Sequence, residues 1–175
     1  MESATASQGS SVWRGVAAAL VLVVFAASAG AQSVSSMSTS QIIKQAEAML
    51  SEKRYGQLPE YLNEIITRLS EIESEDARGT LDFARFRLGE AYFFTEQYDK
   101  AVAAFETYLE EMPKGQWRQS ASIYTAEAHA MRQNWQGIID ALEPVMAEAA
   151  DLSEKRRRLA SLLIGQANFK LEQWG

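Results

Sequence analysis

His129 is the only imidazole in this 175-residue chain, and no cysteine accompanies it. General-base chemistry would need that ring within hydrogen-bond reach of a hydroxyl or an acid, and no such residue stands beside it at a telling spacing. Without cysteine there is no thiolate nucleophile, no disulfide, no thiolate metal site and no lipidated cysteine. The carboxylates are numerous but scattered at helical surface positions, and no glycine-rich phosphate loop, nucleophile elbow or metal-ligand cluster occurs. "SEIESEDARGT" (70–80) alternates glutamates without the oxygen-ligand order of a calcium loop. It reads as a polar inter-repeat loop. "SEKRRRLA" (153–160) places Lys155 to Arg158 in the first turns of a helix. Cations there oppose the helix dipole, so a solvated face is expected rather than an anion site. The sequence therefore predicts no enzyme, no cofactor and no metal, with His129 as a packing residue.

Bulk properties narrow the partners. A net charge of −6 and a pI near 4.9 argue against nucleic acid, which demands a basic surface. With 47% hydrophobic and 23% charged residues, the composition is that of a globular chain rather than a disordered one. At the N-terminus, Arg14 precedes the apolar run "GVAAALVLVVFAASAG" (15–30) and then "AGAQS". Ala29 and Ala31 fit the −3 and −1 places of a small-x-small cleavage signal, predicting a signal peptide over 1–31. The run is shorter than the ~20 residues of a spanning helix, so no stable transmembrane anchor is expected after cleavage. The serine-rich 32–40 reads as a tether.

From Gln41 onward, apolar residues recur at spacings of three and four, alternating β-branched runs are absent, and glycines fall between segments. Helices are predicted at about 41–54, 57–73, 80–96, 99–111, 116–133, 137–149 and 153–173, with Pro144 expected to kink or interrupt the sixth. The chain also repeats itself. Tyr55, Tyr98, Trp135 and Trp174 each follow a polar helix end, separated by 43, 37 and 39 residues. Three residues after the first three come Leu58, Ala101 and Ile138; seven after come Leu62, Phe105 and Leu142. Nine before the four come Ala46, Gly89, Ala126 and Gly165, and six before come Met49, Tyr92, His129 and Asn168.

Residues 82–115 resemble a tetratricopeptide repeat: Leu88-Gly89, Tyr92, Ala101, Phe105 and Pro113 match that family's pattern in spacing. Arg85 stands where the family has tryptophan. The resemblance extends over about Gln41 to Trp174, strongest in the second unit. It implies an all-α fold of antiparallel helical hairpins, stacked as a right-handed superhelical solenoid of about three and a half repeats. The units are 41–79, 80–115, 116–152 and a half repeat at 153–175. Small residues at Gly89, Ala101 and Gly165 let helices approach, while Tyr92, Tyr98, Phe105, Trp135 and Trp174 fill volume between them.

The resemblance further implies a concave groove lined by first-helix side chains. The carried-over positions are Phe83, Phe86, Glu90 and Phe93. Their equivalents are Ser40, Ile43, Glu47 and Leu50; Ser120, Ile123, Glu127 and Ala130; and Leu159, Leu162, Gln166 and Phe169. Steps of three, four and three put each set on one helix face. Two rows emerge, an apolar one (Ile43, Phe86, Ile123, Leu162) and a polar one (Glu47, Glu90, Glu127, Gln166). Such rows suit a peptide with basic and hydrophobic side chains. The alternative is that the apolar row is helix-to-helix core and the glutamates are simply good helix formers.

The last helix keeps an apolar face (Leu159, Leu162, Leu163, Phe169, Leu171) that a further second helix would normally cover, so truncation of a longer frame and self-association are both expected of it. Signal peptide and family resemblance together imply a secreted or periplasmic protein of the bacterial envelope. Its expected role is a non-enzymatic scaffold holding a protein or peptide. The competing expectation is a structural spacer or assembly arm of a larger envelope protein.

Overall fold

Serine hydroxyls set the two helix starts that organise the first half of the chain. The protein is described by a computed structural model covering residues 33–147 and 152–174, with the side chains of 173 and 174 outside the description. Residues 1–36 and 37–175 form separate units. The signal peptide and cleavage site expected at 1–31 lie outside the described residues. In the first unit, Val34–Ser36 makes a 3-10 turn.

The second unit is all-α: α1 (Thr39–Ser51), α2 (Leu58–Leu69), α3 (Glu75–Phe94), α4 (Tyr98–Glu111), α5 (Arg118–Met131), α6 (Trp135–Ala147) and α7 (Glu154–Trp174). Ser38 caps α1 in a reciprocal capping box with Gln41. Ser74 caps α3, its Oγ accepting from Ala77 N–H at 3.1 Å, with Glu75 and Asp76 in the first turn where the helix dipole favours acids. That cap corrects an expectation: residues 75–80, read above as loop, are the opening turns of α3. Pro144 does not interrupt its helix. Helix α6 runs through it to Ala147, the proline falling within three residues of the helix end.

Each helix packs on the next in chain order, and α3 meets α5, and α5 meets α7, side by side. This is the arrangement of a helical-repeat solenoid, built of hairpins α1–α2, α3–α4 and α5–α6 followed by α7. The repetition extends to the atoms of the turns. Arg54, Gln97 and Asn134 donate their N–H groups to Met49, Tyr92 and His129 carbonyls at 2.8, 2.9 and 2.9 Å. Lys53, Glu96 and Gln133, one residue earlier, donate to Leu50, Phe93 and Ala130 and lie in the left-handed region at φ 55, 60 and 58°. All three hairpins thus close with the same Schellman turn. Each left-handed residue sits two before Tyr55, Tyr98 or Trp135, so the recurring aromatics mark a recurring turn.

Packing follows the small positions. A methyl on Gly89 would lie 2.5 Å from Phe105 Cδ1, so only glycine lets α3 and α4 come this close. Ala101, Phe105, Tyr108, Ala121 and Phe86 form one core, and Ile123, Ala126, Ile138, Leu142, Ala160, Leu163 and Ala167 form the next. Trp135 packs half-buried against the latter. Tyr98 meets Phe93 edge-on at 5.8 Å, and Tyr92 carries Lys100 Nζ 5.5 Å over its ring. Arg85, at the tryptophan position, pairs with Glu111 of α4, and Leu88 lines the cleft between α2 and α4.

The joint between the second and third hairpins is polar. Buried Tyr108 donates to Asp82 Oδ1 at 2.7 Å and accepts from Trp117 N–H at 3.0 Å, while Gln116 N–H reaches Asp82 Oδ2 at 3.2 Å. Burial beside Asp82 pushes the Tyr108 hydroxyl well above its ordinary pKa, so it stays a donor. Pro113 opens this connection after α4 ends, and Arg118 Nη1 caps the Leu109 carbonyl at 2.6 Å.

Candidate binding surface on the first helices

The chemistry-bearing residues of α3 and α5 do not behave as one row. Phe86 and Ile123 are 2% and 7% exposed and belong to the two cores, so that part of the apolar row is packing. Ile43 is half-buried, and Leu162 lies at the surface, 57% exposed. Phe83 and Phe93 are half-buried.

The glutamates diverge more sharply. Glu90 is 7% exposed and forms an ion pair with Arg87 one helical turn earlier. The same guanidinium lies 5.5 Å from the Phe83 and Phe86 centroids and 5.7 Å from that of Trp117, whose ring stacks on Phe86 at 5.4 Å. The cation is held over three aromatic faces and against a carboxylate, so its charge is paired, although its buried Nε has no hydrogen-bond partner among the described residues. Arg87 therefore neutralises Glu90 from within.

Glu127 has no ion-pair partner among the described residues, and burial raises its carboxyl above the ordinary carboxylate range. One turn before it, Tyr124 stacks on Phe105 at 5.6 Å. The Tyr124 hydroxyl, raised by burial and then by the carboxylates of Glu90 and Glu127, also senses the hydroxyl of Tyr55. Phe93 and Phe94 approach the Tyr124 ring at 5.1 and 6.1 Å, and Tyr55 approaches Phe94 at 4.7 Å. Phe94 is 46% exposed. The result is a half-open aromatic nest with one uncompensated carboxylate, an arrangement that attracts a cation through both charge and ring quadrupoles.

At the edges, Glu47 and Gln166 are exposed side chains. Gly165 meets nothing within 4 Å of where a Cβ would be, unlike its counterpart Gly89, and Phe169 is 57% exposed. The side chain of Trp174 lies outside the described ones. Sequence spacing found Phe93 and Glu127 but missed Tyr124, Phe94 and the neutralising Arg87. Arg87 was legible as a basic residue three before Glu90, the spacing of an intrahelical pair.

Among the described residues, no helix is long and apolar enough to cross a membrane, and no cluster of three or more acidic or histidine side chains could hold a metal ion. Comparison with protein-family models, with curated proteins and with solved structures found no match.

Proposed function

We propose that this protein is a non-enzymatic, tetratricopeptide-like scaffold that is exported to the cell envelope and holds an extended peptide or protein segment on its first-helix face. The observation carrying this reading is the Glu127 carboxylate, half-buried without a cationic partner among the described residues and acting on Tyr124, whose ring meets Phe93 and Phe94. Leaving such a group uncompensated costs stability, and an incoming ammonium or guanidinium group recovers it. Phe93 and Phe94 receive the neighbouring apolar side chain. Glu90 holds Arg87 in place and contributes structure rather than recognition.

Fluorescence anisotropy tests this with two labelled peptides, one alternating lysine and leucine, the other glutamate and leucine. The lysine peptide binds, Glu127→Lys weakens it by about tenfold or more, and Glu60→Lys, on the exposed side of α2, leaves it unchanged. Equal binding of both peptides, or equal effects of the two substitutions, overturns the reading.

A second reading, an assembly arm, is favoured by α7. Leu162 and Phe169 are exposed there, and no described residue fills the slot over Gly165, whereas Phe105 fills the slot over Gly89.

A further inference from the structure

Between α4, α5 and α6 lies a cleft of about 540 Å³ that the first-helix face does not share. Its floor is a polar stripe on α5: Ser122, Thr125 and His129, spaced three and four apart and 6%, 2% and 7% exposed. Thr125 is satisfied, donating to the Ala121 carbonyl at 2.9 Å. Ser122 Oγ and His129 Nε2 have no hydrogen-bond partner among the described residues. Both atoms stay accessible from the cleft, where water or a ligand group can reach them.

The tautomer of His129 follows from its neighbours. Gly137 N–H donates to Asn134 Oδ1 at 3.1 Å, which turns the Asn134 amide nitrogen toward His129 Nδ1 at 3.2 Å. Nδ1 must therefore accept, and the ring proton sits on Nε2. The absence of a side chain at Gly137 keeps this arrangement, since a Cβ there would lie 2.8 Å from His129 Cδ2 and Cε1. With Ser122, the floor then offers two donors.

The walls carry the opposite chemistry. Glu106 from α4 and Asp140 from α6 line the cleft, both exposed, Asp140 accepting from Gln136 Nε2 at 2.8 Å. The one lining arginine, Arg118, commits Nη1 to the Leu109 carbonyl. Leu109, Ala141 and Pro144 supply an apolar strip.

We propose that this cleft receives one basic side chain of a peptide, an arginine or lysine. Its alkyl stem lies along Leu109, Ala141 and Pro144, its cationic head between Glu106 and Asp140, and its adjoining carbonyl on Ser122 Oγ–H and His129 Nε2–H. Occupancy is coupled to pH. Burial and the Arg132 charge keep the imidazole below its ordinary pKa, against the pull of Glu106 and Asp140. Protonating Nδ1 breaks the bond from Asn134 and adds a positive charge beside the ligand, so binding fades as pH falls through the imidazole's pKa in the folded chain. By linkage, ligand lowers that pKa further.

The single histidine makes the test direct. The His129 Cε1–H resonance of the full chain is followed while N-acetyl-arginine methylamide, or its neutral citrulline analogue, is added. The arginine probe gives a saturable shift and lowers the imidazole pKa, while the citrulline probe binds more weakly. Glu106→Gln and Asp140→Asn, both at exposed positions, each weaken the arginine probe roughly two- to fivefold. Glu60→Gln, at an exposed position of α2 outside both surfaces, leaves it unchanged. No saturable shift, equal response to both probes, indifference to both cleft substitutions, or an equal loss on Glu60→Gln would each overturn the proposal.

Discussion

Tyr108 joins two hairpins through one oxygen, donating to Asp82 of α3 and accepting from the backbone at Trp117. Tyr108→Phe leaves a carboxylate and an N–H short of partners while barely changing volume. The expected loss is about 1–3 kcal/mol, read as a lower urea midpoint at unchanged slope. His129 makes a second prediction at this scale. Its folded pKa is depressed below 6.5, so the unfolded chain binds the proton more readily. Stability is then full above pH 6.5 and is lost as pH falls toward the folded pKa, at no more than about 1.4 kcal/mol per pH unit. Urea midpoints measured against pH for the native chain and His129→Gln should differ by a constant amount above pH 6.5, and below it the native chain alone should lose stability to this group. Sequence spacing put His129 between helices, and it is buried on α5, but the Asn134 contact that sets its tautomer is a turn effect, invisible to spacing.

At the scale of elements, helix period and repeat were legible because they are written in apolar spacing and small residues: Gly89 against Phe105, Ala101, Ala126. The turns were not. Lys53, Glu96 and Gln133 adopt positive φ although none is glycine or asparagine, and only the shared hydrogen-bond pattern reveals it. A left-handed non-glycine residue costs about 1–2 kcal/mol, of which glycine's greater unfolded-state freedom offsets about 0.5–1. Lys53→Gly, Glu96→Gly and Gln133→Gly should therefore each raise stability by roughly 0.5–1 kcal/mol, measured as a higher thermal midpoint. A drop at all three would contradict the common turn. The start of α3 was missed for a different reason: glutamates and Gly79 resemble a loop, yet Ser74 and the two acids after it form an N-terminal signal strong enough to begin the helix at Glu75.

For the whole molecule, stacking is what the repeated residues serve, and the proposed recognition rests on side chains that the repeat leaves free. The glutamate row shows why spacing alone could not separate the two. Glu90 and Glu127 occupy equivalent positions, but Arg87 closes one as an internal pair and nothing described closes the other. The central claim is that an extended basic peptide lies on the first-helix face at Glu127. A chemical-shift map of the full chain bound to the lysine–leucine peptide tests it most directly. The account predicts the largest perturbations at Phe93, Phe94, Tyr124 and Glu127. Perturbations centred instead on second-helix residues such as Ala103, Ala104 and Thr107 would contradict it.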